Sequence, residues 1–162
     1  PRSSSAASDV YKRQGLYDAI ILAKAGLDRL NINVGNIIPN EIIPPASSQG
    51  VIAIQSTTNG DNEYQKQLKM FLNKINDERA FFETLAERSL LKTLDGSCRS
   101  PISASAHFTD SKELILYGAI ATLDGKKVIR SKIKGSIKDA INLGKELGNK
   151  IKAQTNSEFL FK

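Results

Sequence analysis

The chain holds a single cysteine, and its surroundings make it the first residue to ask for chemistry. Cys98 follows Asp95-Gly96-Ser97 and precedes Arg99-Ser100-Pro101-Ile102. A thiolate is a strong nucleophile towards an electrophilic carbon. A position just past a helix end, in a glycine-containing loop beside an arginine, suits an exposed and reactive thiol. Against this stands the commoner fate of a lone cysteine, that of a small buried hydrophobe. The other candidates are weaker. His107 is the only histidine and has no Cys or His neighbour at metal-ligand spacing, so it reads as structural or surface, with no metal. Glu87-Arg88 reads as a helix-surface or loop-tethering pair rather than an acid/base couple. Lys126, Arg130, Lys132 and Lys134 read most simply as the wet side of an antiparallel sheet. No P-loop, dinucleotide fingerprint or zinc pattern is present.

The elements that must position these residues follow from periodicity. Tyr64, Leu68, Phe71, Leu72 and Ile75 mark one face of a helix over 63–76. A second helix over 77–94 carries Phe81, Leu85, Leu90 and Leu94, and Asp95-Gly96 ends it. Residues 103–109, 113–122 and 126–134 read as three antiparallel strands, with Asp124-Gly125 as a two-residue hairpin turn. On the last strand Ile129 and Ile133 face opposite to the basic residues. Ser136 and Asp139 open a helix whose buried face is expected at Ile137, Ala140, Ile141, Gly144, Leu147 and Ile151. Upstream, 17–23 and 51–55 read as short strands and 25–31 as a short helix, a hint of an α/β layer. Between them, 37–50 holds three prolines and reads as a connector or hinge.

Bulk numbers admit this plan. A chain of 162 residues can bury roughly two-thirds of its unfolded surface. Hydrophobic residues at 40% and charged residues at 25% are ordinary for a globular protein. No apolar run nears the ~20 residues of a membrane span, and one cysteine makes no internal disulfide, so the reducing cytoplasm is the expected location. The net charge of +6 allows an anionic partner. Aromatic residues are 6% and Trp is absent, so the stacking platforms of a single-strand binder are not evident. Residues 1–14 are Ser-rich with no apolar stretch; they read as a non-native or disordered leader and are set aside.

The stretch 87–103 (ERSLLKTLDGSCRSPIS) closely resembles the cofactor-attachment signature of the porphobilinogen deaminases, or hydroxymethylbilane synthases. There a helix bearing Glu-Arg ends in a Gly-Gly/Ser/Ala-Cys loop, followed after two intervening residues by Pro and an aliphatic residue. Two further segments resemble the family in the same order: 15–30 (GLYDAIILAKAGLDRL) and the hinge 45–50 (PASSQG). Ser100 departs from a usual β-branched residue. Ser48 departs from a glycine, a change expected to stiffen or reshape the turn.

The resemblance implies α/β plus α+β architecture. The end of a periplasmic-binding-protein-like α/β domain, a hinge and a return to the first domain would fill 15–74. A small α+β domain with a three-stranded antiparallel sheet and helices on one face would fill 75–162. It implies a transferase of tetrapyrrole biosynthesis that joins four porphobilinogen molecules, with loss of ammonia, into hydroxymethylbilane. The cofactor it implies is a dipyrromethane held on Cys98 through a thioether, with Gln49, Gly50, Ser97 and Arg99 as further cofactor-binding candidates. The family's catalytic aspartate and arginine cluster match no residue here. The expectation is therefore a truncated chain with no catalytic residue of its own, inactive alone, monomeric, and without nucleic-acid or membrane partners. The alternative is a non-catalytic α+β binding module that uses the basic sheet face.

Overall fold

The computed structural model describes residues 15, 18–57, 62–95, 101–111 and 113–159. Its helices are α1 (Lys24–Arg29), α2 (Glu63–Ile75), α3 (Glu78–Thr93) and α4 (Ala140–Lys152). Its strands are β1 (Ile102–Phe108), β2 (Glu113–Ala121) and β3 (Val128–Ser136), and 3-10 turns occupy Ile137–Asp139 and Ser157–Phe159. The chain divides between Ile38 and Pro39 into two units.

In the second unit the three strands form one antiparallel sheet in the order β1-β2-β3. The period-2 pattern puts Ala104, Ala106, Leu114, Leu116, Ile120, Ile129 and Ile133 on one face. There α3 and α4 cover them with Ala86, Leu90, Leu143, Leu147 and Ile151. The expectation of helices on one face of a three-stranded sheet therefore holds. The two helices approach very closely at Gly144, where an added Cβ would sit 2.4 Å from the Ala86 carbonyl oxygen. Helices α2 and α3 each begin on a side-chain cap: Asn62 accepts from the Gln65 N–H in α2 and Asp77 from the Ala80 N–H in α3.

Several expectations need correction. The β2–β3 connection is not a two-residue hairpin. The ladder closes at Ala121–Val128. Beyond it, Thr122 Oγ1 accepts the Lys127 N–H and Asp124 Oδ1 accepts the Lys126 N–H. Side chains thus take the Lys126 and Lys127 N–H groups, while the Thr122 N–H still donates to the Lys127 carbonyl. On α4 the buried stripe includes Leu143 and Gly148, while Ile141 is exposed. The 3-10 turn before α4 rotates its face relative to a continuous helix. Phe81 on α3 is likewise exposed. Residues 19–23 and 51–55 form no strand, since a strand exists only by pairing and none of the described segments pairs with them. The α2 face is not covered either; Tyr64, Phe71 and Ile75 are exposed.

Candidate cofactor site

The site's framework starts at the free edge of the sheet. Among the described residues no strand pairs with the outer side of β1, so alternate N–H groups lack a ladder partner. Two carboxylates of α3 supply acceptors. Glu83 Oε1 accepts the Phe108 N–H at 3.1 Å, and Glu87 Oε1 accepts the Ala106 N–H at 2.7 Å. The match is geometric: residues four apart on a helix lie ~5–6 Å apart, close to the ~6.6 Å of two strand residues. The third donor, Ala104 N–H, goes to the Pro45 carbonyl at 3.0 Å.

Glu87 does a second thing. Its other oxygen, Oε2, accepts the Ser48 N–H at 2.6 Å. One buried carboxylate thus joins α3, β1 and the turn of residues 47–50. Removal from water raises its pKa above 4.5, the two N–H donors act the other way, and the nearby Glu83 charge adds to the rise. In that turn Ser48 takes φ 62 and Gly50 φ 83. Ser48 thus adopts the left-handed conformation that glycine takes freely, at a cost of roughly 1–2 kcal/mol for a residue with a Cβ. The Ser47 and Ser48 hydroxyls are buried without a hydrogen-bond partner among the described residues. Gln49 and Gly50 are exposed on the turn, which is closed by the Gln49 N–H donating to the Ala46 carbonyl.

Ser97, Cys98 and Arg99 lie outside the described residues. Their flanks are held. α3 ends with the Leu94 N–H on the Leu90 carbonyl, and Asp95 takes φ 53 and pairs with Lys152 of α4 at 2.8 Å. After residues 96–100, the Pro101 carbonyl accepts the Ala121 N–H of β2.

On the opposite sheet face Lys126, Arg130, Lys132 and Lys134 are exposed as expected, but the face is not wet throughout. Ser105, Tyr117 and Ala119 are buried there. The segment 40–45 lies across them: Asn40 Nδ2 donates to Ser105 Oγ, Tyr117 O–H donates to Glu41 Oε1, and Arg130 Nε donates to the Ile42 carbonyl. His107 stacks on Tyr117 with ring centroids 5.4 Å apart, and Lys132 lies over the same ring. Asn40, Glu41, Pro44, Tyr117, Arg130 and Lys132 line a shallow cavity of about 240 Å³. Lys134 pairs with Glu113 and Lys126 with Asp124. The basic residues make these contacts within the chain while remaining exposed. Sequence reasoning missed Glu83 as an edge acceptor; its spacing from Glu87, both facing β1, was the available signal. No helix among the described residues is long and apolar enough to cross a membrane. Among those residues no group of three His, Cys, Asp or Glu side chains gathers as a metal site.

Comparison with known proteins agrees with the order of these parts. Residues 78–153 match the family of the porphobilinogen deaminase C-terminal domain. Residues 9–66 match that of the porphobilinogen deaminase dipyromethane cofactor binding domain. The chain belongs to the porphobilinogen deaminase family. Porphobilinogen deaminases of Prochlorococcus marinus subsp. pastoris and of P. marinus strain MIT 9313 are each 38% identical to it over 148 residues. That of strain NATL1A is 36% identical. Each alignment covers 90% of this chain and 45% of the relative, so the chain spans a little under half the length of these deaminases. The match to the cofactor binding domain begins at residue 9, inside the Ser-rich stretch 1–14. The two matches also divide the candidates: Gln49 and Gly50 fall within the match to the cofactor binding domain, and Cys98 falls within the match to the C-terminal domain.

Proposed function

We propose that this chain carries the cofactor anchor and hinge of a porphobilinogen deaminase, with Cys98 bearing a dipyrromethane through a thioether. The observation that carries the reading is one family's match to both segments that Glu87 joins, the hinge turn at Ser48 and the strand at Ala106. When bound, the dipyrromethane supplies the primer to which four porphobilinogen molecules are added, each with loss of ammonia. The chain's own residues anchor and orient it. The cofactor presents pyrrole N–H donors and carboxylate side arms. The exposed carboxamide of Gln49 can accept from the first and donate to the second. Gly50, with no side chain, leaves the approach open. The Ser47 and Ser48 hydroxyls, which have no hydrogen-bond partner among the described residues, give the same turn hydrogen-bonding capacity for the cofactor. Ser97 and Arg99 flank the anchor, and Arg99 suits a carboxylate arm.

In this reading residues 15–74 belong to a periplasmic-binding-protein-like α/β part, where 19–23 and 51–55 gain strand partners, and 75–162 form the cofactor-carrying domain. The substrate is porphobilinogen, and the protein works as a cytoplasmic monomer with no nucleic-acid partner. The rival binding-module reading loses support from the basic face, whose Arg130 and Lys134 are already engaged.

The experiment is a chimera. Residues 15–153 replace the matching portion of a Prochlorococcus deaminase, and the protein is tested for hydroxymethylbilane formation and for a pyrrole adduct by intact mass. The expected result is activity with the adduct on Cys98, both lost in Cys98→Ser, and no conversion of porphobilinogen by the isolated 162-residue chain. A folded chimera with no adduct on Cys98 would overturn the reading.

A further inference from the structure

We propose that Glu87 is a positioning residue that locks the Ser47–Gly50 turn onto the α3–β1 framework and so fixes where Gln49 and Gly50 stand. Its partners are unusual. A buried carboxylate ordinarily faces a cation, yet the described groups hydrogen-bonded to Glu87 are two backbone N–H donors. Those donors come from segments 58 residues apart in sequence, one in the turn and one in the strand. Ala106 belongs to a strand tied into its sheet along its whole length. Ser48 belongs to a turn whose other bonds are local, the Gln49 N–H to Ala46 and the Val51 N–H to Ser48. Glu87 is thus the turn's hydrogen-bonded link to α3, while Pro45, three residues earlier, holds the approach to it. Ser48 needs such a link, because its left-handed backbone costs energy that a free turn would shed.

The carboxylate's two oxygens make this a shared acceptor. An amide at the same place keeps one acceptor and turns an N–H donor towards the other contact. Of the two contacts, the turn gives way and the strand does not. Protonation has a related effect. Glu83 on the same helix is the one charged neighbour acting on Glu87 among the described residues; β1 and the turn present it with backbone N–H groups. The existence of the lock does not depend on the cofactor, although its purpose rests on the function proposed above.

The test uses the 162-residue chain labelled with ¹⁵N. In a pH titration the Ser48 and Ala106 amide resonances should shift together, with one shared midpoint above 4.5, the Glu87 carboxyl's ordinary value. In Glu87→Gln both shifts vanish, and hydrogen exchange at Ser48, Gln49 and Gly50 rises at least about tenfold while β2 and α4 keep their protection. Glu83→Gln, which removes only the acceptor for Phe108, leaves the turn's exchange unchanged. Independent titration of the two amides, an unprotected Ser48 amide in the unsubstituted chain, or a turn still protected in Glu87→Gln each overturns the lock. The chimera tests the cofactor reading separately: an adduct on Cys98 with no coupled titration sinks the lock alone, and coupled titration without an adduct sinks the cofactor reading alone.

Discussion

The two faces of the sheet are held by different physics. The inner face is held by volume: Leu90, Leu116, Leu147 and Ile151 are fully buried between α3, α4 and the strands. The outer face is held by a few polar contacts from the segment 40–45, with Tyr117, Ser105 and Ala119 beneath it. Glu87 sits at the edge between them and answers to both, packed with α3 yet bonded to the turn that follows the outer segment. Volume gives stability that is insensitive to pH. Polar clasps give less stability but a defined position, which is what a hinge and a cofactor turn need.

The largest effects should come from the inner face. Leu90→Ala empties a fully buried site and should cost about 3–4 kcal/mol in chemical denaturation. Gly144→Ala should cost about 3 kcal/mol, because its Cβ would meet the Ala86 oxygen at 2.4 Å, Ser89 Cβ at 2.6 Å and the Leu90 nitrogen at 2.9 Å. Two of those atoms are backbone, so the helices must separate. If Gly144→Ala were as stable as the parent, the close helix contact would be wrong and the contrast between the faces would fail.

The edge should behave differently. Because burial raises the pKa of Glu87, the folded state favours the protonated carboxyl. Its contribution is fully present below the unfolded value of 4.5 and is lost as pH rises through the higher folded value. Glu87→Gln, which stays neutral, should therefore match or exceed the parent's global stability at about pH 7. Its advantage should shrink as pH falls to 4.5. Denaturation curves at a series of pH values check this. A parent that gains on Glu87→Gln as pH rises would reverse the sign and show that the N–H bonds outweigh desolvation.

The inner face was legible in the sequence and the outer cover was not. Alternation in β1–β3 and the 3.6-residue spacing in α3 and α4 report burial directly, so the sheet, its order of elements and most of its core follow from them. Misplaced residues, such as Ile141 and Phe81, lie where a one-residue change of helix phase decides burial. The cover of Tyr117 by Glu41 joins residues 76 apart through a single hydrogen bond, which leaves no periodic trace. The same holds for Glu87 and Ser48, 39 apart. Strands expected at 19–23 and 51–55 failed for the complementary reason, since their apolar pattern is real but their form depends on partners outside their own sequence. The reading of the cysteine segment rests on its resemblance to a family, because a lone thiol has the same spacing whether it is inert or reactive.

The smallest effect should come from the outer clasp, and its pH dependence should oppose that of Glu87. Backbone hydrogen bonding, the Tyr117 hydroxyl, and the charges of His107 and Lys132 hold the Glu41 carboxyl below its ordinary value. A depressed carboxylate stabilises the fold above its unfolded pKa of 4.5 and loses that contribution as pH falls through the folded value. Tyr117→Phe removes the O–H donor and keeps the ring that stacks on His107. It should lower the melting temperature slightly at about pH 7 and by less at lower pH, as Glu41 becomes protonated in the folded chain. Exchange at Glu41 and Ile42 should rise while α3 and α4 keep their protection. An equal loss across this pH range would mean that Tyr117 acts through packing, and the outer face would then be held by volume like the inner one.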